Sequence, residues 1–133
     1  MLDPIATIRE HLASDVTLNQ LVGGRIFCPA ADAGGLPCIS FQIISGVGHS
    51  ETDIMKPIVL IRSWAPAKSQ ILARQIDRAI YDAIGRSDKG SQITTTSGFI
   101  QTCYLLTPGQ DLVDPDTKFS VVQALYQYIL NTV

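Results

Sequence analysis

Hydrophobic and polar positions change period within one stretch, Lys56 to Gly85. Ile58, Val59, Leu60 and Ile61 form a mostly β-branched run that Trp64 closes before Pro66, the pattern of a strand. The period then becomes helical. Around Leu72, the residues Ala73, Ile76, Ala79, Ile80, Ala83 and Ile84 share one broad face, and Gly85 ends it. Arg74, Arg78 and Asp82 fall on the other side, with Arg78 and Asp82 spaced to pair. Ile71 and Tyr81 lie outside the stripe, so either a second patch is buried under a loop or the outer face of this helix meets a partner. A strand feeding an amphipathic helix predicts a layered α/β or α+β domain.

The same patterning organises the flanks. Asp3 then Pro4 is a helix start, and Ile5, Ile8, Leu12 and Val16 line one side of a helix running to about Ser14. Asp15 or Thr17 caps a short second turn holding Leu18 and Leu21, ended by Gly23-Gly24. Arg25 to Cys28 has room only for an edge strand, and Pro29 to Pro37 reads as a loop. Cys38 to Ser45 is a strand stopped by Gly46 and Gly48, an antiparallel neighbour of the Ile58 strand across the turn region Gly46 to Met55. Gly85 to Gly98 is polar apart from Ile93; Phe99 to Leu106 is a strand, and Pro108 to Lys118 an acidic loop. Phe119 to Leu130 is β-branched and aromatic, although Ala124, Leu125, Gln127 and Leu130 would also serve a helix. The turn chemistry of Asp114-Pro115-Asp116, and the need of the Phe99 strand for a partner, decide for a strand.

Composition narrows the function. The 133 residues, 46% hydrophobic, suit one domain with a real core (residues 1–133). Ten basic and twelve acidic side chains are dispersed, net −2, which argues against a nucleic-acid groove. No apolar run approaches the roughly 20 residues of a membrane helix, and M-L-D-P does not open a secretory signal. Cys28, Cys38 and Cys103 are expected as small buried hydrophobes in a reducing compartment.

Chemistry is sparse. His11 falls on the polar side of the first helix, where solvation explains it. His49 with Glu51 and Asp53 is a thin metal corner compared with the tighter Cys and His sets that hold zinc. Asp111, Asp114 and Asp116 are spaced oxygens, without the glycine and terminal glutamate of a calcium loop. Gly23-Gly24 and Gly46-x-Gly48 lack the Lys-Ser/Thr partner of a phosphate loop, and Ser45 and Ser50 lack a nucleophile elbow. A thiol pairing of Cys38 or Cys103 with His49 finds both cysteines inside strands. The residues favour a structural or binding module over an enzyme, with no catalytic residue, cofactor or metal.

The order of motifs adds a resemblance. Leu12, Asp15, Leu18 and Leu21 lead into Val22-Gly23-Gly24-Arg25-Ile26-Phe27. Leu36-Pro37 then enters a strand ending Ile44-Ser45-Gly46, and a strand closing in Trp64-Ala65-Pro66 runs directly into the amphipathic helix. Asp111 to Thr117 precedes the last strand. Across nearly the whole chain this resembles the small tail-completion or tail-terminator proteins of long-tailed phages. Val113 stands where the family often has an aromatic, and Cys28 precedes the proline that the family tends to place soon after the aromatic.

The resemblance implies an α+β fold: a mixed, largely antiparallel sheet of about four to five strands with an N-terminal helix and the central amphipathic helix packed on it. It implies a non-catalytic virion protein assembled in the host cytoplasm. Its place is a ring, typically hexameric, at the head-proximal end of the tail tube, where it stops polymerisation and meets the head connector, with DNA only passing through. A neighbouring head–tail connector ring is the nearest alternative; a small hydrolase or thiol enzyme and a regulatory binding module are further ones. On this reading Arg25, Arg62, Arg74 and Tyr81 are candidate interface residues, and His49, Glu51 and Asp53 contact the tube or connector. Asp111, Asp114 and Asp116 are candidates for the bore, where acidic side chains keep the duplex from sticking.

Overall fold

A computed structural model describes residues 3–29, 35–46, 54–85 and 93–131. Among these residues, three helices lie on one side of a curled, mostly antiparallel sheet. In chain order the elements are α1 (Pro4–Ala13), α2 (Val16–Val22), β1 (Ile26–Phe27), β2 (Cys38–Ser45), β3 (Ile54–Met55) and β4 (Ile58–Ala65). They continue with α3 (Gln70–Ile80), a π-helical turn (Tyr81–Gly85), β5 (Ile93–Thr94), β6 (Phe99–Val113) and β7 (Ser120–Asn131). Their spatial order is β1-β2-β4-β7-β6-β5, with β3 also on β7.

The seven strands among the described residues exceed the four to five expected because short pieces such as β3 and β5, of two residues each, form in segments that read as loops. Their pairing comes from long neighbours. Ile54 and Met55 meet Asn131 and Leu130, while Ile93 and Thr94 meet Ile100 and Phe99. The larger correction concerns β6, which runs through Pro108 to Val113 where an acidic loop was expected. Register shifts on either side of Thr107 absorb Pro108 and Gly109, placing the proline in an irregularity where its missing N–H breaks no ladder. Phe119 to Leu130 does form a strand, β7, paired with β6 as anticipated, and β2 and β4 are antiparallel neighbours.

β7 is central. Along one side it pairs with β4 from Ser120 to Gln127; Tyr128 N then donates to Pro57 O (3.0 Å), and β3 continues the edge. β6 covers the other side. Alternation sends Val122, Ala124, Tyr126, Tyr128 and Leu130 to the helix side, with Val59, Ile61, Ile39 and Phe41 from the neighbouring strands. Ile8, Leu12, Leu18, Val22, Ile76, Ala79, Ile80 and Ile84 close over them.

The helices are held by their ends. Asp3 accepts from Ala6 N (3.1 Å) with Pro4 at the first turn, and Asp15 accepts from Leu18 N (3.0 Å), so Asp15 rather than Thr17 is the second cap. Glu10 accepts from Thr96 N (3.1 Å) and Thr96 Oγ1 (2.7 Å), tying α1 to the turn before β6. The buried stripe of α1 is Thr7, Ile8, His11 and Leu12, whereas Ile5 and Val16 are exposed. α1 ends before Val16, which starts α2 on the solvent side.

His11 is therefore not solvated. It is 4% exposed, its Nδ1 lies 3.2 Å from Tyr128 Oη, and the rings meet edge to face. Tyr128 also hydrogen-bonds Cys103, its cross-strand partner. Burial, opposed only by Asp15, pushes the His11 pKa down to about 4. It pushes the Cys103 thiol up to about 12. All three cysteines are outside disulfides; Cys38 and Cys103 are buried as expected, and Cys28 is half-buried.

Two stability predictions follow from these positions. Because folded His11 resists a proton that the unfolded chain accepts near pH 6.5, its contribution is intact above pH 6.5 and lost as pH falls toward 4. The loss is on the order of 3 kcal/mol. Urea unfolding midpoints should drop over that window in the wild type and drop less in His11→Leu; equal slopes would contradict the assignment. At the end of β2, Gly46 has φ +87°, and a Cβ there would run into the Lys56 carbonyl. Gly24, with φ +77°, has open space around it. Gly46→Ala should cost about 2 kcal/mol more than Gly24→Ala in the same assay.

Candidate assembly interface

Two surfaces of the described chain expose apolar groups in an organised way. The first is the outer face of α3. Its inner stripe, Ala73, Ile76, Ala79 and Ile80, is consumed by the core, and the π-helical turn carries Ile84 into the same core. Outside, Ile71 is 78% exposed among Gln70, Arg74, Gln75 and Arg78, around a shallow hollow of about 580 Å³.

The outer face is stiffened from β6. Arg74 Nη2 donates to Asp111 Oδ2 at 2.6 Å, and Gln70 Nε2 donates to Asp111 Oδ1 (3.0 Å) and Val121 O (3.1 Å). Hydrogen bonding to Arg74 holds the Asp111 carboxyl below its ordinary range, and Asp111 raises the Arg74 pKa in return. Asp111 thus belongs to a strand and to an intrachain ion pair.

Beside it, Asp77 is half-buried against the irregularity in β6, and burial is the main cause raising its pKa. Gly109 makes this approach possible, since a Cβ there would stand 2.6 Å from Asp77 Oδ2 and 2.8 Å from Val122 Cγ1. Arg78 pairs with Asp82 (3.3 Å), as the spacing predicted, and its guanidinium lies over the Tyr81 ring at 5.7 Å. Tyr81 is half-buried at the border of this patch.

The second surface is the sheet face turned away from the helices. Among the described residues no helix covers it. Ile58, Leu60 and Trp64 of β4, Leu125 and Ile129 of β7 and Leu112 of β6 are only half-buried there. Polar bridges cross it: Trp64 Nε1 donates to Ser40 Oγ (2.9 Å), Arg62 Nε to Gln123 Oε1 (3.3 Å), and Tyr104 Oη to Gln127 Oε1 (2.7 Å). The face combines apolar area with polar side-chain bridges.

The remaining candidates separate. Arg25 Nε donates to Pro37 O (2.8 Å), bracing the turn between β1 and β2. Asp114 sits in the β6–β7 turn, where Oδ1 accepts from Asp116 N (2.9 Å); Asp116 itself is exposed. His49, Glu51 and Asp53 lie outside the described residues, as does the middle of the Pro29–Pro37 loop. Among the described residues no three His, Cys, Asp or Glu side chains converge on one point. Burial holds the Cys103 thiol up near 12, which disfavours its thiolate at neutral pH. Sequence reasoning missed the His11–Tyr128–Cys103 cluster and the half of β6 beyond Leu106. The spacing of Thr7, His11 and Leu12 was a signal for the first; Pro108 hid the second.

No family model matches the chain, and no curated protein does. Solved structures do match. One is a chain of a structure described as the virion of native gene transfer agent (GTA) particle: 16% sequence identity, TM-score 0.68, covering 93% of this chain and 91% of that one. At that identity the likeness establishes a shared fold along nearly the whole length of both chains.

Proposed function

We propose that the protein is a non-enzymatic structural component of a virion. In this reading it forms a ring, hexameric in the simplest case, at the head-proximal end of a tail tube, ends tube growth there and presents a surface to the head connector. The observation that carries the proposal is the fold shared over 93% of this chain with a chain of a GTA virion particle. The order of sequence motifs supports the finer assignment to the tail end. A ring of identical subunits needs two different surfaces on each copy that complement one another. The outer face of α3 and the uncovered sheet face, on opposite sides of the two-layer fold, are further surfaces that an assembled subunit can turn toward tube, connector or a neighbouring copy.

Within this reading Ile71, Arg74 and Tyr81 lie on a face available to a neighbour, and Arg62 lies on the sheet face. The segment with His49, Glu51 and Asp53 is proposed to meet the tube or connector. Asp114 and Asp116, at the tip of the β6–β7 turn, are the acidic residues proposed for the bore; Asp111 is already engaged by Arg74.

The test is the mass in solution by light scattering over a wide concentration range, alone and with tail-tube protein. The expected result is a closed assembly near six subunits, or a monomer that joins tube ends. Ile71→Asp, at a 78% exposed position, should leave unfolding unchanged and weaken assembly at least tenfold. A monomer indifferent to tube protein would overturn the proposal, and binding to connector protein with no effect on tubes would favour the neighbouring connector ring.

A further inference from the structure

Among the described residues, the two long edges of the sheet are each left without a paired strand over part of their length. β1 covers only Ile39 and Ser40 of β2, so among the described residues 41–45 have no strand on their outer side. β5 covers only Phe99 and Ile100 of β6, so among the described residues 101–113 have no strand on their outer side. Proteins usually protect such edges with charge, since unpaired N–H and C=O groups recruit other strands. Here residues 38–46 carry no charge, and 99–113 carry only Asp111, which Arg74 occupies. Exposed apolar groups stand instead: Ile44 at 49%, Tyr104 at 36% and Leu106 at 42%.

These two edges match. Tracing the register across the sheet puts Gln42, Leu60, Leu125 and Thr107 on one rung, and Ser45, Ile58, Gln127 and Tyr104 on another. The open part of β2 is therefore level with residues 104–107 of β6. Ile44 and Leu106 are each an extra residue in a register shift, within one rung of each other, so both edges bend at the same height. β2 runs parallel to β7, and β6 antiparallel to it. A copy placed beside this one by rotation, with the sheet continued, thus brings β6 against β2 in antiparallel sense, the commoner pairing.

We propose that the ring closes by strand addition: residues 104–107 of β6 in one copy pair with residues 41–45 of β2 in the next, joining the sheets into a continuous wall. The inference rests on the ring reading and specifies its join. The occupant is a second copy because the two edges agree in height, direction, bend and lack of charge, and because they are different surfaces, as a closing rotational assembly requires.

Ile44→Lys and Leu106→Lys test it, each placing a lysine on one edge at an exposed position. Circular dichroism and thermal melts verify that both fold. At a concentration where wild type is a closed ring, each variant alone should be monomeric by light scattering. A one-to-one mixture should give twice the monomer mass and stop there, because a single intact join, β6 of Ile44→Lys with β2 of Leu106→Lys, is available. Folded variants that still form rings would overturn the join while leaving the ring reading standing. A stable dimer of Ile44→Lys alone would overturn it in favour of β6 pairing with β6. A wild type that oligomerises neither alone nor on tube ends would overturn the ring reading and the join together.

Discussion

Everything in this fold depends on β7 being a strand with both edges filled. Ser120 to Asn131 contributes alternating Val122, Ala124, Tyr126, Tyr128 and Leu130 to the core, and three strands are registered against its backbone. Two buried tyrosines in such a position impose costs that packing alone does not meet, because each hydroxyl needs a partner. For Tyr128 the partners are His11 from α1 and Cys103 from β6. That contact fixes the first helix against the last strand, 117 residues apart in sequence. It also fixes which side of α1 faces inward, and so leaves Ile5 in solvent.

Filling β7 on both sides distributes what remains. β4 carries the chain directly into α3, whose inner stripe seats on Ala65 and Val122, and whose outer residues are braced through Asp111. With all three helices on one side, the opposite sheet face keeps Leu60, Trp64, Leu125 and Ile129 half-exposed. The same asymmetry appears at the edges, where short β1 and β5 cover only fractions of β2 and β6.

Much of this was legible from residues because local pattern and tertiary demand agree there. The bounds of β2 and β4, the stripe of α3 and the Asp3 cap have periodicity and end signals pointing one way. Phe119 to Leu130, in contrast, also suits a helix and is decided by the turn chemistry before it, and Asp15 shares its capping role with Thr17 until the structure chooses between them. What escaped was set by neighbours. β3 and β5 are strands only because β7 and β6 present partners to them. Pro108 and Gly109 carry loop chemistry, yet the β7 ladder carries β6 past them with two register shifts. His11 looked polar by type, and only the fold supplies Tyr128 to make its burial tolerable. The interface candidates were chosen as exposed charges, so they could not reveal that Arg74 and Asp111 pair with each other or that Arg25 braces a turn.

The central proposal is that the chain finishes a tail tube. The most direct measurement is the length distribution of tail tubes, by electron microscopy, when tube protein polymerises with and without the chain. The account predicts shorter, uniformly ended tubes that stop growing once the chain is added in slight excess over ends. Tubes that keep elongating at an unchanged rate, with the chain left in solution, would contradict it.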